Sequence, residues 1–221
     1  MNGAQSDLTG IAPEVVQQSV DDLINAYGLL MDQVVERMQN DFINGMSDIW
    51  VCEEAVEFFT NVVKENLDKL IFAINDTFDS VVTQVNRKAI EWTNQMHAAY
   101  RPRSFQPYGK NSVDVSNIKK ETSNGEKGIA MNRYSTVLNK LSDICTEAAN
   151  AAEGAKRAFE NGGFLGCKQG PALYNSLATI EGSIKSAMSA ITELLQNSIK
   201  NTAERYGQLQ ENAAASFQIE Q

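Results

Sequence analysis

The sequence predicts an all-α fold, a four-helix bundle made of two long antiparallel helical hairpins. Apolar residues recur every three to four positions along four segments, which is the spacing of one face of an α-helix. Asn-Gly pairs lie between the segments of each hairpin, where they favour a turn. A single hairpin leaves an apolar face open, and a second hairpin can cover it. The four prolines lie near segment ends, at Pro13, Pro102, Pro107 and Pro171.

The first hairpin is predicted over residues 10–100, with helices at about 13–43 and 52–100. Its first helix begins at Pro13, because proline is tolerated in a first turn. Asn44 and Gly45 are predicted to end this helix, since glycine accepts the left-handed conformation of a helix C-cap. Glu53 and Glu54 fit the first turn of the second helix, where carboxylates favour the helix dipole.

The second hairpin is predicted over residues 129–217, with helices at about 129–160 and 171–215. Asn161 and Gly162 mark its turn. Between the hairpins, residues 101–128 lose the helical period and carry two prolines and several turn-forming clusters. This composition is typical of a linker.

The two halves align with each other at one offset. Phe42 and Phe159 are 117 residues apart, and at the same offset Asn44 and Gly45 fall on Asn161 and Gly162. Ala55 falls on Ala172 without a gap, so the register holds through the elbow. This indicates an internal duplication.

Composition excludes several classes of function. The net charge of −9 argues against nucleic-acid binding, which needs a basic footprint, and makes a membrane partner unlikely. The first ten residues lack the basic and apolar regions of a standard signal peptide, and no apolar run approaches the ~20 residues of a membrane span. We therefore expect a chain that folds in the cytoplasm, with its three cysteines reduced.

The sequence offers no catalytic, metal or cofactor site. His97 is the sole histidine, and the Glu-X-X-His pairs of a di-metal bundle site are missing. A Cys–His pair is conceivable only through His97, and Cys52 lies near the opposite end of the same predicted helix. We expect a protein that is not an enzyme and needs no cofactor.

Trp50 lies in the elbow between the first two predicted helices. One role for it is structural, because a tryptophan buries a large area over the end of a bundle with few rotatable bonds. The other role is recognition, since aromatic side chains are frequent hot spots of binding surfaces.

The first elbow resembles the WXG (ESAT-like) family of type VII (ESX-type) secretion. Trp50, Val51 and Cys52 are followed by Ala55 and then by Phe58 or Phe59, similar to the family's Trp-X-Gly, alanine and aromatic pattern. Cysteine stands where the family has glycine. The second elbow is similar to the related LXG variant, on the residues Phe164, Gly166 and Gly170.

The resemblance implies a pseudo-dimer of two hairpins that pair antiparallel, with their elbows at opposite ends. It also implies a non-enzymatic exported substrate, or a carrier or targeting partner, that binds other secretion-system proteins and is secreted without a cleavable signal peptide. Because one chain supplies both hairpins, the core is expected to be monomeric. Exported members often end in Tyr-X-X-X-Asp/Glu, and Tyr206 with Glu211 is a degenerate form of this signal, one residue too long.

Two alternatives stay open. The missing tail motif favours a cytosolic coiled-coil chaperone or adaptor that is not itself exported and offers an apolar groove to a partner. A membrane-active bundle is disfavoured by the acidic charge.

Overall fold

A computed structural model describes residues 8–160, 163–165 and 169–216. Most of these residues lie in four long helices, which confirms the all-α prediction. Helix α1 runs through Pro13–Met31, a π-helical part Asp32–Ile43 and a last turn Asn44–Met46. Helix α2 runs through Glu53–Phe58, a π-helical part Phe59–Lys64 and Glu65–Gln95. Helices α3 and α4 are Tyr134–Arg157 and Gln169–Ser216.

The prediction that Asn44 and Gly45 end α1 was wrong. Asn44 keeps right-handed helical angles, Gly45 is not among the glycines with positive φ, and the helix continues to Met46. Gly45 is instead a site of close packing. A Cβ added there would lie 3.3 and 3.4 Å from the two methyl groups of Val137 on α3. The missing side chain therefore lets α3 approach α1.

Two other helix ends differ from the sequence prediction. Helix α2 ends at Gln95 rather than near residue 100, because His97 adopts the left-handed conformation with φ 55°. Helix α3 begins at Tyr134 rather than near residue 129, because Ile129 lies in a short strand. A local turn replaces the last predicted turn of α2, and a strand contact replaces the first predicted turn of α3.

Four two-residue strands join the ends of the helices. Strands β1 (Gly10–Ile11) and β4 (Phe164–Leu165) pair antiparallel, and so do β2 (Trp50–Val51) and β3 (Gly128–Ile129). In each pair the isoleucine faces the elbow aromatic: Ile11 faces Phe164, and Ile129 faces Trp50. Each elbow is therefore paired with the segment that precedes the first helix of the other half.

These pairs place the two elbows at opposite ends of α1. Ile11 lies just before α1 and Trp50 just after it, so Phe164 and Trp50 are separated by the length of that helix. The strands also correct the single 117-residue offset. The two Gly-Ile strands are 118 residues apart and the two elbow strands 114, so the repeat is not gapless through the elbow.

Helix α1 lies at the centre of the core. Its buried stripe faces α3 most closely and α2 next, and α3 packs in turn on α4. The facing part of α3 is rich in alanine, with Ala148, Ala152 and Ala155 buried. Small side chains permit this close approach, and a Cβ on Gly154 would lie 3.8 Å from that of Ala26.

Residues 100–120, here called the strap, lie along the groove between α1 and α2. Arg103 pairs with Asp21 near the start of α1, and Lys119 pairs with Asp48 beyond its end. Val113 and Ile118 of the strap are buried. The strap thus runs along α1 from its beginning to its end. It leads the chain to the first elbow, where β3 pairs with β2.

Glu181 on α4 gives a pH-dependent contribution to stability. Its side chain is 9% exposed and pairs with Lys156 of α3 at 2.8 Å and with Lys185 at 2.5 Å. The hydrogen bonds from Lys156 and then Lys185 lower the pKa of Glu181 below its ordinary value of 4.5. A lowered pKa in the folded state stabilises the protein above pH 4.5, and this contribution is lost as the pH falls through the lowered value.

We therefore expect Glu181→Gln to be less stable than the wild type at pH 7, and the difference to shrink below pH 4.5. Urea unfolding of both proteins between pH 7 and pH 3 measures this, with the exposed Glu147→Gln on α3 as the control. A Glu181→Gln deficit that stays constant over this range would contradict the ion pairs.

Candidate functional site at the first elbow

An aromatic cluster closes the core at the first elbow. The Trp50 ring lies 5.6 Å from the Phe58 ring and 6.2 Å from the Phe59 ring, and Phe59 stacks on Phe42 at 5.7 Å. Trp50 is 2% exposed, as the structural role requires. Its indole Nε1 has no hydrogen-bond partner among the described residues. Phe58 and Phe59, both candidates for the aromatic of the elbow pattern, contact the tryptophan.

Cys52 is the residue before the first turn of α2. Its φ of −170° and ψ of 171° are extended, a conformation that any residue adopts, so the backbone does not require glycine here. The Cys52 carbonyl accepts the first helical hydrogen bond, from Val56 N at 3.3 Å. Val51 and Ala55 on either side are buried. These four residues, Trp50 among them, form one continuous elbow.

Tyr206 of α4 reaches this elbow from the other half of the chain. Burial and the nearby Cys52 and Glu54 side chains raise the pKa of Tyr206 to about 12. The adjacent Arg205 pairs with Glu54 at 2.5 Å and lies over the Tyr206 ring. The Arg205–Glu54 ion pair thus brings Tyr206 close to the residues that follow Trp50 in the elbow.

Two apolar side chains are exposed near Tyr206. A Cβ on Gly207 would lie 3.7 Å from the Met131 methyl, which places the turn before α3 beside α4. Met131 is 43% exposed and Leu209 59% exposed. Glu211 is exposed further along α4. Exposed apolar side chains beside a buried aromatic cluster are suited to protein–protein contact.

The second elbow lies at the other end of α1. Phe164 is buried and its main chain pairs with that of Ile11. This repeats, at the second elbow, the pairing of Trp50 with Ile129. Gly170 lies at the start of α4. The remaining predicted residues of this elbow, Asn161, Gly162 and Gly166, lie outside the described residues. The structure therefore brings Tyr206 to the first elbow motif, and keeps Phe164 away from it.

Within residues 8–160, 163–165 and 169–216, no group of three or more His, Cys, Asp or Glu is placed to hold a metal ion. Among the helices described, none has the length and apolar character that crossing a bilayer requires. His97 is exposed at the end of α2.

Comparisons of the chain with protein-family models, with curated proteins and with solved structures found no match.

Sequence reasoning missed two features of this site. The sequence indicates Tyr206 only as part of a degenerate tail motif, because no local signal places it beside the first elbow. Strand β3 was also missed, although a signal for it exists. The dipeptide Gly-Ile precedes both halves, at residues 10–11 and 128–129, and a search for pairs flanking the helical segments finds it.

Proposed function

We propose that this chain is a non-enzymatic helical protein of a type VII (ESX-like) secretion system. It acts as an exported substrate, or as a carrier or targeting partner, through contacts of its helices with other secretion-system proteins. The observation that carries the proposal is the ion pair of Arg205 with Glu54, which brings the part of α4 around Tyr206 to the first elbow. It joins the two short motifs on which the resemblance depends, the elbow pattern and the tyrosine of the tail pattern, into one surface.

The finer architecture is part of the same proposal. The chain is an intramolecular pair of antiparallel hairpins, a pseudo-dimer produced by duplication. The reciprocal strand pairs support this, since Ile11 on Phe164 repeats Ile129 on Trp50 at the other end. Fusion makes pairing intramolecular, with an effective concentration on the order of mM, so that the core is monomeric.

The recognition surface in this proposal is the exposed rim of the first elbow. Trp50 is buried in the core beneath the elbow. Tyr206, Met131 and Leu209 lie around the elbow and are partly exposed to solvent. A partner would contact this rim rather than the tryptophan itself. Substitutions on the rim should therefore affect export without unfolding the protein.

Export from a host with a type VII system tests the proposal. We expect the protein in the culture medium when the secretion ATPase is present, and only in the cells when it is absent. Tyr206→Ala should reduce export by about tenfold, the effect of losing roughly 1.4 kcal/mol of binding. Asn212→Ala, an exposed position on the same helix, is the matched control and should be exported normally.

A cytosolic adaptor is the second candidate, and the spacing of the tail motif favours it. Glu211 follows Tyr206 by five residues instead of four, whereas Gln210→Glu would restore the Tyr-X-X-X-Glu spacing at an exposed position. If the wild type and Gln210→Glu both stay in the cells with an active ATPase, the export role is wrong and the adaptor role takes its place.

A further inference from the structure

Two side-chain amides hold the main chain of the strap. Gln39 donates from Nε2 to the Asp114 carbonyl at 2.8 Å and accepts from the Asp114 amide at Oε1 at 2.7 Å. Asn86 does the same with Arg103, donating to its carbonyl at 2.7 Å and accepting from its amide at 3.3 Å. Every non-proline residue offers the same amide and carbonyl, so these contacts recognise an extended chain rather than particular side chains.

Further contacts to the main chain lie between the two amides. The Tyr27 hydroxyl accepts from the Tyr108 amide at 2.6 Å. Asp68 accepts from the Val113 amide at 3.2 Å, and Lys64 donates to the Val113 carbonyl at 3.0 Å. Side chains of α1 and α2 thus bind the strap main chain at four of its residues. The groove therefore binds main-chain groups through side chains, as grooves that recognise extended peptides do.

Charge complements this recognition. The strap carries five basic residues and one acidic residue, whereas residues 8–96 carry five basic and fifteen acidic residues. Arg103 makes a two-point pair with Asp21, at 2.6 and 2.8 Å. Lys110 pairs with Glu36 at 2.8 Å and Lys119 with Asp48 at 2.9 Å. The acidic side chains along α1 and just beyond its end therefore complement the charge of a basic segment.

The strap fills the groove incompletely. A cleft of about 320 Å³ remains between the π-helical part of α1 and strap residues 110–117. Gln39, Asn44 and Asp114 are among the residues that line it. The Asn117 Oδ1 atom is buried there without a partner among the described residues. The strap side chains therefore leave part of the groove unfilled, and a different segment bound through the same main-chain contacts could fill it more completely.

We infer that the groove between α1 and α2 is a binding site for an extended basic segment of a partner protein. The strap occupies this groove as a tethered ligand, and the partner segment takes its place. The incoming segment has basic residues spaced as Arg103, Lys110 and Lys119 are, with apolar residues that fill the places of Val113 and Ile118. This site lies along the side of α1 and does not depend on the secretion role.

Binding of a labelled synthetic peptide with the sequence of residues 100–120 tests the inference. The receptor is the full chain with Arg103→Gln and Lys110→Gln, which weakens its own strap and leaves the groove residues in place. The apparent affinity for the peptide is reduced in proportion to the fraction of molecules whose groove is not occupied by the strap. The peptide should therefore bind this variant at least about tenfold more tightly than the wild type. Fluorescence anisotropy measures the affinities.

Two controls define the groove. Adding Gln39→Ala and Asn86→Ala to the same variant removes both amide contacts and should abolish binding. A peptide with glutamate at every basic position should not bind. If the basic peptide binds no better than the acidic one, or if removing the two amides has no effect, the inference is overturned.

Hydrogen exchange gives a second readout on the wild-type chain, in case the variants lose helical structure. Excess peptide should speed the exchange of the amides of Tyr108, Val113 and Asp114 in an isotopically labelled chain, because displacement exposes them to solvent. Unchanged exchange at a peptide concentration of several mM would also overturn the inference.

Discussion

Replacing Trp50 with alanine is expected to destabilise the protein by about 3 kcal/mol, the range for removing a buried aromatic side chain. The indole fills the end of the core between Phe58 and Phe59, and its main chain pairs with Ile129. Alanine would leave a cavity at the point where the two halves of the chain meet. Urea unfolding followed by circular dichroism measures the loss.

Two further variants identify the cause. Trp50→Phe keeps most of the apolar volume and removes an Nε1 that lacks a partner among the described residues, so it should cost less than about 1.5 kcal/mol. Trp92→Ala removes the same side chain at a half-buried position of α2 and should cost less than Trp50→Ala. Equal losses for Trp50→Ala and Trp92→Ala would mean that the elbow has no special packing role.

Gly163→Ala is expected to destabilise the protein by about 3 kcal/mol or more, through two effects. Gly163 has φ 69°, and a left-handed conformation costs a residue with a Cβ roughly 1–2 kcal/mol. The added Cβ would also lie 2.8 Å from the Val16 backbone nitrogen and 2.6 Å from a Val16 methyl, and overpacking typically adds about 1–3 kcal/mol. The Gly163 carbonyl accepts a hydrogen bond from Ala12 N at 2.7 Å, which limits its movement.

Gly125→Ala separates these two effects. Gly125 has a similar φ of 78°, but nothing lies within 4 Å of an added Cβ, so only the conformational cost applies. The midpoints of chemical denaturation should therefore fall much further for Gly163→Ala than for Gly125→Ala. Equal shifts would contradict the close approach of the second elbow to the start of α1.

The helical segments could be predicted from the sequence because each carries a long apolar stripe, which is a local signal. Their ends could not, because tertiary contacts decide them. The sequence pattern predicts that Gly45 ends a helix, whereas in the structure its lack of a side chain leaves room for the Val137 methyl groups. Ile129 lies at the predicted start of a helix, but it pairs with Trp50 in a short strand.

The elbow motif was visible in the sequence, whereas its partner and the groove were not. Trp50, Val51 and Cys52 are adjacent, so their pattern can be recognised. Tyr206 reaches them only through folding. The strap contains isolated apolar residues in a polar segment, and the side chains that hold it are ordinary helix-surface residues such as Gln39 and Asn86. The sequence pattern of such residues does not differ from that of polar residues on a solvent-exposed helix face.

The antiparallel arrangement of the two halves within one chain is tested most directly by a distance between spin labels at the two elbows. Exposed positions are available at Asp48 and Glu160, changed to cysteine after Cys52, Cys145 and Cys167 are replaced by alanine. Since α1 separates the elbows, pulsed dipolar spectroscopy should give roughly 45 Å for its length. The distance should persist when labelled protein is diluted into unlabelled protein. A distance under about 20 Å, or one that disappears on dilution, would contradict an intramolecular antiparallel pair.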